Sequence, residues 1–221
     1  MMVDKYNVKS KSYFYGGHSL GGSSIASWAH SAAKSEADMK GVFVLGSYAS
    51  KAIHDPVANY GVPFMTVGGE LDGWMARITR IALSYDQMRS HDYGSSGLSN
   101  YTFPVVLIPG LNHASFLSGI PPSKVQETDL RAEISIEEAI DQISDCVSAF
   151  LTIVASDLTS VEYEKSAHTL DHYINEVTAP LLDPIVKAFR LEGASFFSGF
   201  EGQSPVVTEA QEFVARNADK Q

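Results

Sequence analysis

Apolar residues along this chain come in short runs that alternate with longer amphipathic stretches. Tyr13 to Tyr15, Val42 to Leu45 and Pro63 to Val67 are rich in β-branched and aromatic residues and open into glycine, and Phe103 to Ile108 ends in Pro109 and Gly110. Continuous apolar strands of this kind belong to parallel sheets, whose two faces are both covered. The segments between them supply the cover. Ser23 to Lys34 places Ile25, Trp28, Ala29 and Ala32 on one helical face, and Met75 to Arg89 does the same with Ile78, Ile81, Ala82 and Tyr85. A third stripe, Ile140, Ile143, Val147 and Leu151, follows Ser135 and Glu138, which match a capping box. The pattern predicts an α/β fold built on a parallel sheet flanked by helices.

The alternation stops near residue 155. Residues 1–155 are therefore read as the sheet-bearing domain and 156–221 as a helical or irregular carboxyl-terminal extension. Helices are expected over Glu162 to Glu176 and over Pro180 to Arg190, the latter bounded by Gly193, with Phe196, Phe197, Phe200 and Thr208 to Asn217 as a docking tail. His168 and His172 stand four apart, but no third ligand accompanies them, so both are read as solvated and no metal site is expected. Cys146, the single cysteine, falls in a helical pattern and is read as a small buried apolar residue.

Composition narrows the function classes. A chain of 221 residues with 44% hydrophobic and 19% charged residues can bury a substantial core. Its net charge of −10 repels nucleic acids and anionic membrane surfaces. No stretch reaches the roughly 18 apolar residues of a membrane span, and Met1 to Ser12 is polar, without the apolar core of a signal peptide. The compartment is left unmarked.

Gly17-His18-Ser19-Leu20-Gly21 follows an apolar strand and opens a helix, the context that a G-x-S-x-G nucleophile elbow requires. The sharp turn strains the serine backbone, and glycines two residues before and after it are expected to prevent collisions with neighbouring backbone. Ser19 is the candidate nucleophile, and the Leu20 N–H, at the positive end of a helix, the candidate oxyanion donor. A serine hydroxyl needs a base, and the base needs a carboxylate to hold its tautomer. The strand from Pro63 runs into Gly68-Gly69-Glu70-Leu71-Asp72-Gly73, which makes Asp72 the candidate acid, with Glu70 and Asp55 as competitors. A turn aspartate bonding its own backbone is the alternative for Asp72. The strand from Phe103 runs into Leu111-Asn112-His113, which makes His113 the candidate base. Tyr48, Trp74, Phe116 and Leu117 lie near these strand ends and are candidates for an apolar acyl pocket or for core packing.

The runs Gly-His-Ser-Leu-Gly-Gly, Gly-Gly-Glu-Leu-Asp-Gly and Leu-Asn-His resemble the α/β-hydrolase superfamily, among its esterases and lipases, over about residues 10 to 155. The resemblance implies a Ser19, Asp72, His113 triad, the Leu20 amide as one oxyanion donor, a small-molecule acyl substrate and no cofactor. The short separations between the three residues imply a site without a large lid. In that superfamily the elbow follows the first half of the sheet, whereas Ser19 stands near the start of this sequence. The expectation is a carboxyl-terminal half of the sheet, the amino-terminal half being missing from the sequence or supplied by a partner. Two functions fit: a serine hydrolase, and a non-catalytic module of the same fold lacking a complete oxyanion hole.

Overall fold

Successive side chains of a strand point to opposite faces of its sheet, and in this chain both sets are apolar. Val42, Val44, Phe64, Val105 and Leu107 enter one buried cluster, while Met65, Val67, Val106 and Ile108, with the half-buried Phe43 and Leu45, enter another. Such strands must be covered on both sides. The computed structural model describes residues 13–32, 38–49, 60–90 and 101–192. Its strands are β1 (Tyr13–His18), β2 (Met39–Leu45), β3 (Phe64–Gly69) and β4 (Val105–Ile108). They pair in parallel in the order β1-β2-β3-β4.

Helix α1 (Ser19–Ala32) lies against β1 and β2, and α2 (Ile78–Ser90) against β3 and β4. Their Ala26, Ala29, Ile81 and Ala82 complete the first cluster. The short α3 (Ser123–Thr128) precedes α4 (Ile136–Ala155), whose Cys146, Ala149, Phe150 and Ile153 complete the second. Ser135 caps α4 by accepting a hydrogen bond from the Glu138 N–H at 3.1 Å. The chain continues through α5 (Val161–Asp171), a π-helical stretch (His172–Thr178) and α6 (Ala179–Glu192). Leu170 and Tyr173 join the second cluster, and Leu182, Val186 and Phe189 of α6 join the first. Helix α4 ends at Ala155, and the described residues after it pack into both clusters.

The elements differ from the pattern-based expectation at their ends. β1 extends past Tyr15 through Gly16, Gly17 and His18, which pair with Phe43, Val44 and Leu45 of β2; a Cβ on Gly16 would lie 2.1 Å from the Phe43 ring. α1 consequently begins at Ser19, four residues before Ser23. α2 begins at Ile78 rather than Met75, and the helix expected over Glu162 to Glu176 passes into the π-helical stretch at His172. That stretch brings Thr178 to β4, whose Leu107 N–H donates to Thr178 Oγ1 at 2.9 Å. Among the described residues β4 is an edge strand, and it finds this acceptor without another strand. Cys146 is fully buried, and burial pushes its thiol up to about 12. His168 is exposed, and the exposed His172 meets Glu176 at 3.0 Å. The expected tail from Phe196 to Asn217 lies outside the described residues.

Candidate active site

Three of the four strand ends converge on one place. At the end of β1, Ser19 has φ 54°, the one non-glycine residue in the left-handed region among the described residues. A left-handed serine between strand and helix is the strained turn that an elbow demands. Gly17 relieves it: a Cβ there would stand 2.7 Å from both the Gly21 carbonyl oxygen and Ile25 Cδ1. Gly21 does not act as expected. Its Cβ would meet no described atom within 4 Å, and the close approach belongs to Gly22, whose Cβ would lie 2.7 Å from Ser47 Cβ. Helix α1 therefore needs a glycine one position later, where it crosses the loop after β2.

The Ser19 hydroxyl lies 2.9 Å from His113 Nε2. On the other side of the ring, His113 Nδ1 lies 2.7 Å from Asp72 Oδ2. Both His113 and Asp72 are buried, at 1% and 3% exposure, so this contact is shielded from water. The second oxygen of Asp72, Oδ1, accepts from the Trp74 N–H at 2.8 Å. The two alternatives for Asp72, turn former and imidazole partner, are thus realised together, one oxygen serving each.

His113 begins a 3-10 turn (His113–Phe116) capped by Asn112, whose Oδ1 accepts from the Ser115 N–H at 3.0 Å. Glu70, a competing acid, is turned away from the imidazole: its Oε2 accepts from the Gly110 N–H at 3.2 Å. Asp55 lies outside the described residues. Met75, which the sequence did not single out, brings its sulfur to 3.7 Å from Ser19 Oγ.

His18 packs beside both His113 and Phe116. The His18 ring is 4.9 Å from the His113 ring and 5.6 Å from that of Phe116. Burial, followed by the nearness of His113, lowers the His18 pKa to about 4 against the opposing pull of Asp72. Its imidazole is neutral at pH 7. Among the apolar candidates, Phe116 and Leu117, at the end of the turn that His113 begins, are half-buried, and Trp74 is half-buried against the first cluster. Tyr48 is a core residue, 5% exposed, with the Arg80 guanidinium 5.0 Å from its ring centroid. Burial lowers the pKa of Arg80, and to a lesser degree nearby Tyr48 and Asp72 oppose it. The Leu20 side chain is exposed, and its N–H falls in the first turn of α1, where helical geometry supplies no partner.

A carboxylate that the sequence did not mark completes the surroundings. Asp129 accepts backbone hydrogen bonds from Gly73, His113 and Ala114. Nothing in its spacing distinguishes it from any loop acid. Among the described residues, no group of three or more His, Cys, Asp or Glu side chains is arranged to hold a metal ion, and no helix is long and apolar enough to cross a membrane.

A four-stranded parallel sheet covered by helices, with a strained serine at a strand-to-helix turn, defines an α/β protein of hydrolase type. The chain belongs to the alpha/beta hydrolase family, whose sequence profile matches residues 2–141. No curated protein and no solved structure matches the chain.

Proposed function

We propose that this protein is a serine hydrolase that cleaves a carboxylic ester or a related acyl compound through Ser19, His113 and Asp72. The observation that carries the reading is the unbroken hydrogen-bonded line from the Ser19 hydroxyl through the imidazole to the Asp72 carboxylate, at 2.9 and 2.7 Å. Met75 sulfur is a weak acceptor, so Nε2 is the strong acceptor in reach of the hydroxyl proton.

In the reaction, Ser19 Oγ attacks the acyl carbonyl as His113 Nε2 takes its proton. Asp72 holds the proton on Nδ1 and stabilises the imidazolium that forms. The Leu20 N–H, at the positive end of α1, receives the developing oxyanion. His113 then returns the proton to the leaving alkoxide, and water, activated by the same imidazole, releases the acid and frees the serine. Phe116 and Leu117, with Trp74, offer apolar surface to the acyl or alcohol part, while neutral His18 adds no positive charge beside the base. Tyr48 serves the core in this reading.

The test is a fluorophosphonate probe with the wild-type chain and Ser19→Ala, together with hydrolysis of a short-chain p-nitrophenyl ester. Stoichiometric labelling of Ser19 and Ser19-dependent turnover are expected. Their absence in a folded, monodisperse sample would favour a non-catalytic module.

A further inference from the structure

Asp72 and His113 stand on loops that follow different strands, β3 and β4, so the bond between them depends on how those loops are held together. One direct tie is the Leu71 N–H, which donates to the Leu111 carbonyl at 2.9 Å. The denser set of ties comes from a third segment, the end of α3 and the residues after it. Asp129 Oδ1 accepts from the Gly73 N–H at 2.9 Å and from the His113 N–H at 3.1 Å, while Oδ2 accepts from the Ala114 N–H at 2.8 Å. One carboxylate therefore holds the residue after the acid, the base itself and the residue after the base.

Its neighbours reinforce the grip. Asn112 Nδ2 donates to the Leu130 carbonyl at 2.7 Å, and the Leu130 N–H donates to the Leu71 carbonyl at 3.3 Å. Gly73 approaches so closely that a Cβ there would lie 1.8 Å from the Thr128 carbonyl oxygen. Three N–H donors divided between two oxygens call for a carboxylate, since an amide offers an acceptor at one end only. Bonds of this kind are charge-assisted and shorter than neutral ones.

We propose that Asp129 is a positioning residue that sets the separation of His113 and Asp72 by clamping their loops; the proposal rests on the hydrolase reading above. It touches no substrate and acts through the two residues it aligns. Loss of the clamp lets the imidazole drift from the geometry in which it bridges hydroxyl and carboxylate, and a misplacement of about 1 Å can cost about 10²-fold in rate.

The experiment compares the wild-type chain with Asp129→Ala, Asp129→Asn and Val125→Ala by ester hydrolysis, probe labelling, melting temperature and the downfield proton resonance of the bond between His113 Nδ1 and Asp72. Val125 is a buried residue of α3 that takes no part in the clamp through its side chain. Asp129→Ala is expected to lower kcat by about 10²-fold with KM nearly unchanged and to displace or broaden the resonance. Asp129→Asn keeps one acceptor end and is expected to lose about tenfold, recovering part of what alanine loses and standing in for it should the alanine variant not fold. Val125→Ala is expected to melt lower and keep its kcat.

A wild-type kcat in Asp129→Ala, or an equal kcat loss in Val125→Ala at equal melting temperature, would overturn the clamp. A wild-type chain that neither labels nor turns over would instead defeat the hydrolase reading. The resonance then decides on the clamp alone: displacement in Asp129→Ala supports it and an unchanged signal overturns it.

Discussion

Gly22 and Ser47 meet where α1 crosses the loop after β2, so closely that a Cβ on the glycine would lie 2.7 Å from the serine Cβ and 2.9 Å from the Gly17 carbonyl oxygen. A Cβ on Gly21, one residue earlier, would meet no described atom within 4 Å beyond the helix's own backbone. Gly22→Ala is therefore expected to destabilise the protein by about 1–3 kcal/mol and to reduce Ser19 labelling, because helix and loop must separate. Gly21→Ala is expected to keep labelling and to gain up to about 1 kcal/mol from helix propensity. Urea denaturation and probe labelling of both variants check the contrast, and identical behaviour would show that the Ser47 contact does not constrain the elbow.

That contrast marks where the sequence was informative. The four strands and their helices were legible because apolar runs and helical stripes report burial directly, and Ser19, Asp72 and His113 stood out as candidates because each follows a strand and a glycine-rich turn. Strand length at β1 was not legible, since Gly16 and Gly17 look like a turn until Phe43 is known to lie over Gly16. Asp129 and Met75 were invisible for a related reason. Their roles depend on contacts with Gly73, His113 and Ser19 from distant parts of the chain, and no local pattern encodes such contacts.

His18 gives a pH-dependent prediction. Its imidazole, packed between His113 and Phe116 and within the field of Asp72, titrates near 4 in the folded chain and at 6.5 when unfolded. Between those values the unfolded chain binds more protons, so stability falls as the pH drops below 6.5 and the loss is complete below about 4. His18→Gln removes this part of the acid sensitivity. Melting temperatures of the two proteins should converge or cross as the pH is lowered, and curves that stay parallel would contradict the assignment.

Thr178 Oγ1 is the acceptor for the Leu107 N–H of the edge strand β4, and Thr178 is fully buried. Thr178→Val keeps the shape of the side chain and removes the acceptor, leaving an unsatisfied buried N–H that costs about 1–3 kcal/mol. Faster hydrogen exchange at the Leu107 amide should accompany the loss. An unchanged exchange rate would mean that the strand edge is held by other contacts.

The two oxygens of Asp72 make the last prediction a sharp one. Oδ1 serves the Trp74 N–H and Oδ2 the imidazole, so in Asp72→Asn the carbonyl oxygen can keep the turn while the amide nitrogen faces His113 Nδ1. An N–H cannot accept the Nδ1 proton, and the ring must place its proton on Nε2, where it can no longer take one from Ser19. The variant is expected to fold with nearly wild-type stability and to lose about 10⁴-fold in kcat, the scale seen when a triad carboxylate becomes an amide. Glu70→Gln provides the contrast: its side-chain oxygen still accepts from the Gly110 N–H, so most of the activity should remain. Steady-state hydrolysis of a p-nitrophenyl ester by both variants, alongside their melting temperatures, decides the matter. A loss in Glu70→Gln alone would move the acid from Asp72 to Glu70, and full activity in Asp72→Asn would remove the Asp72 carboxylate from the mechanism.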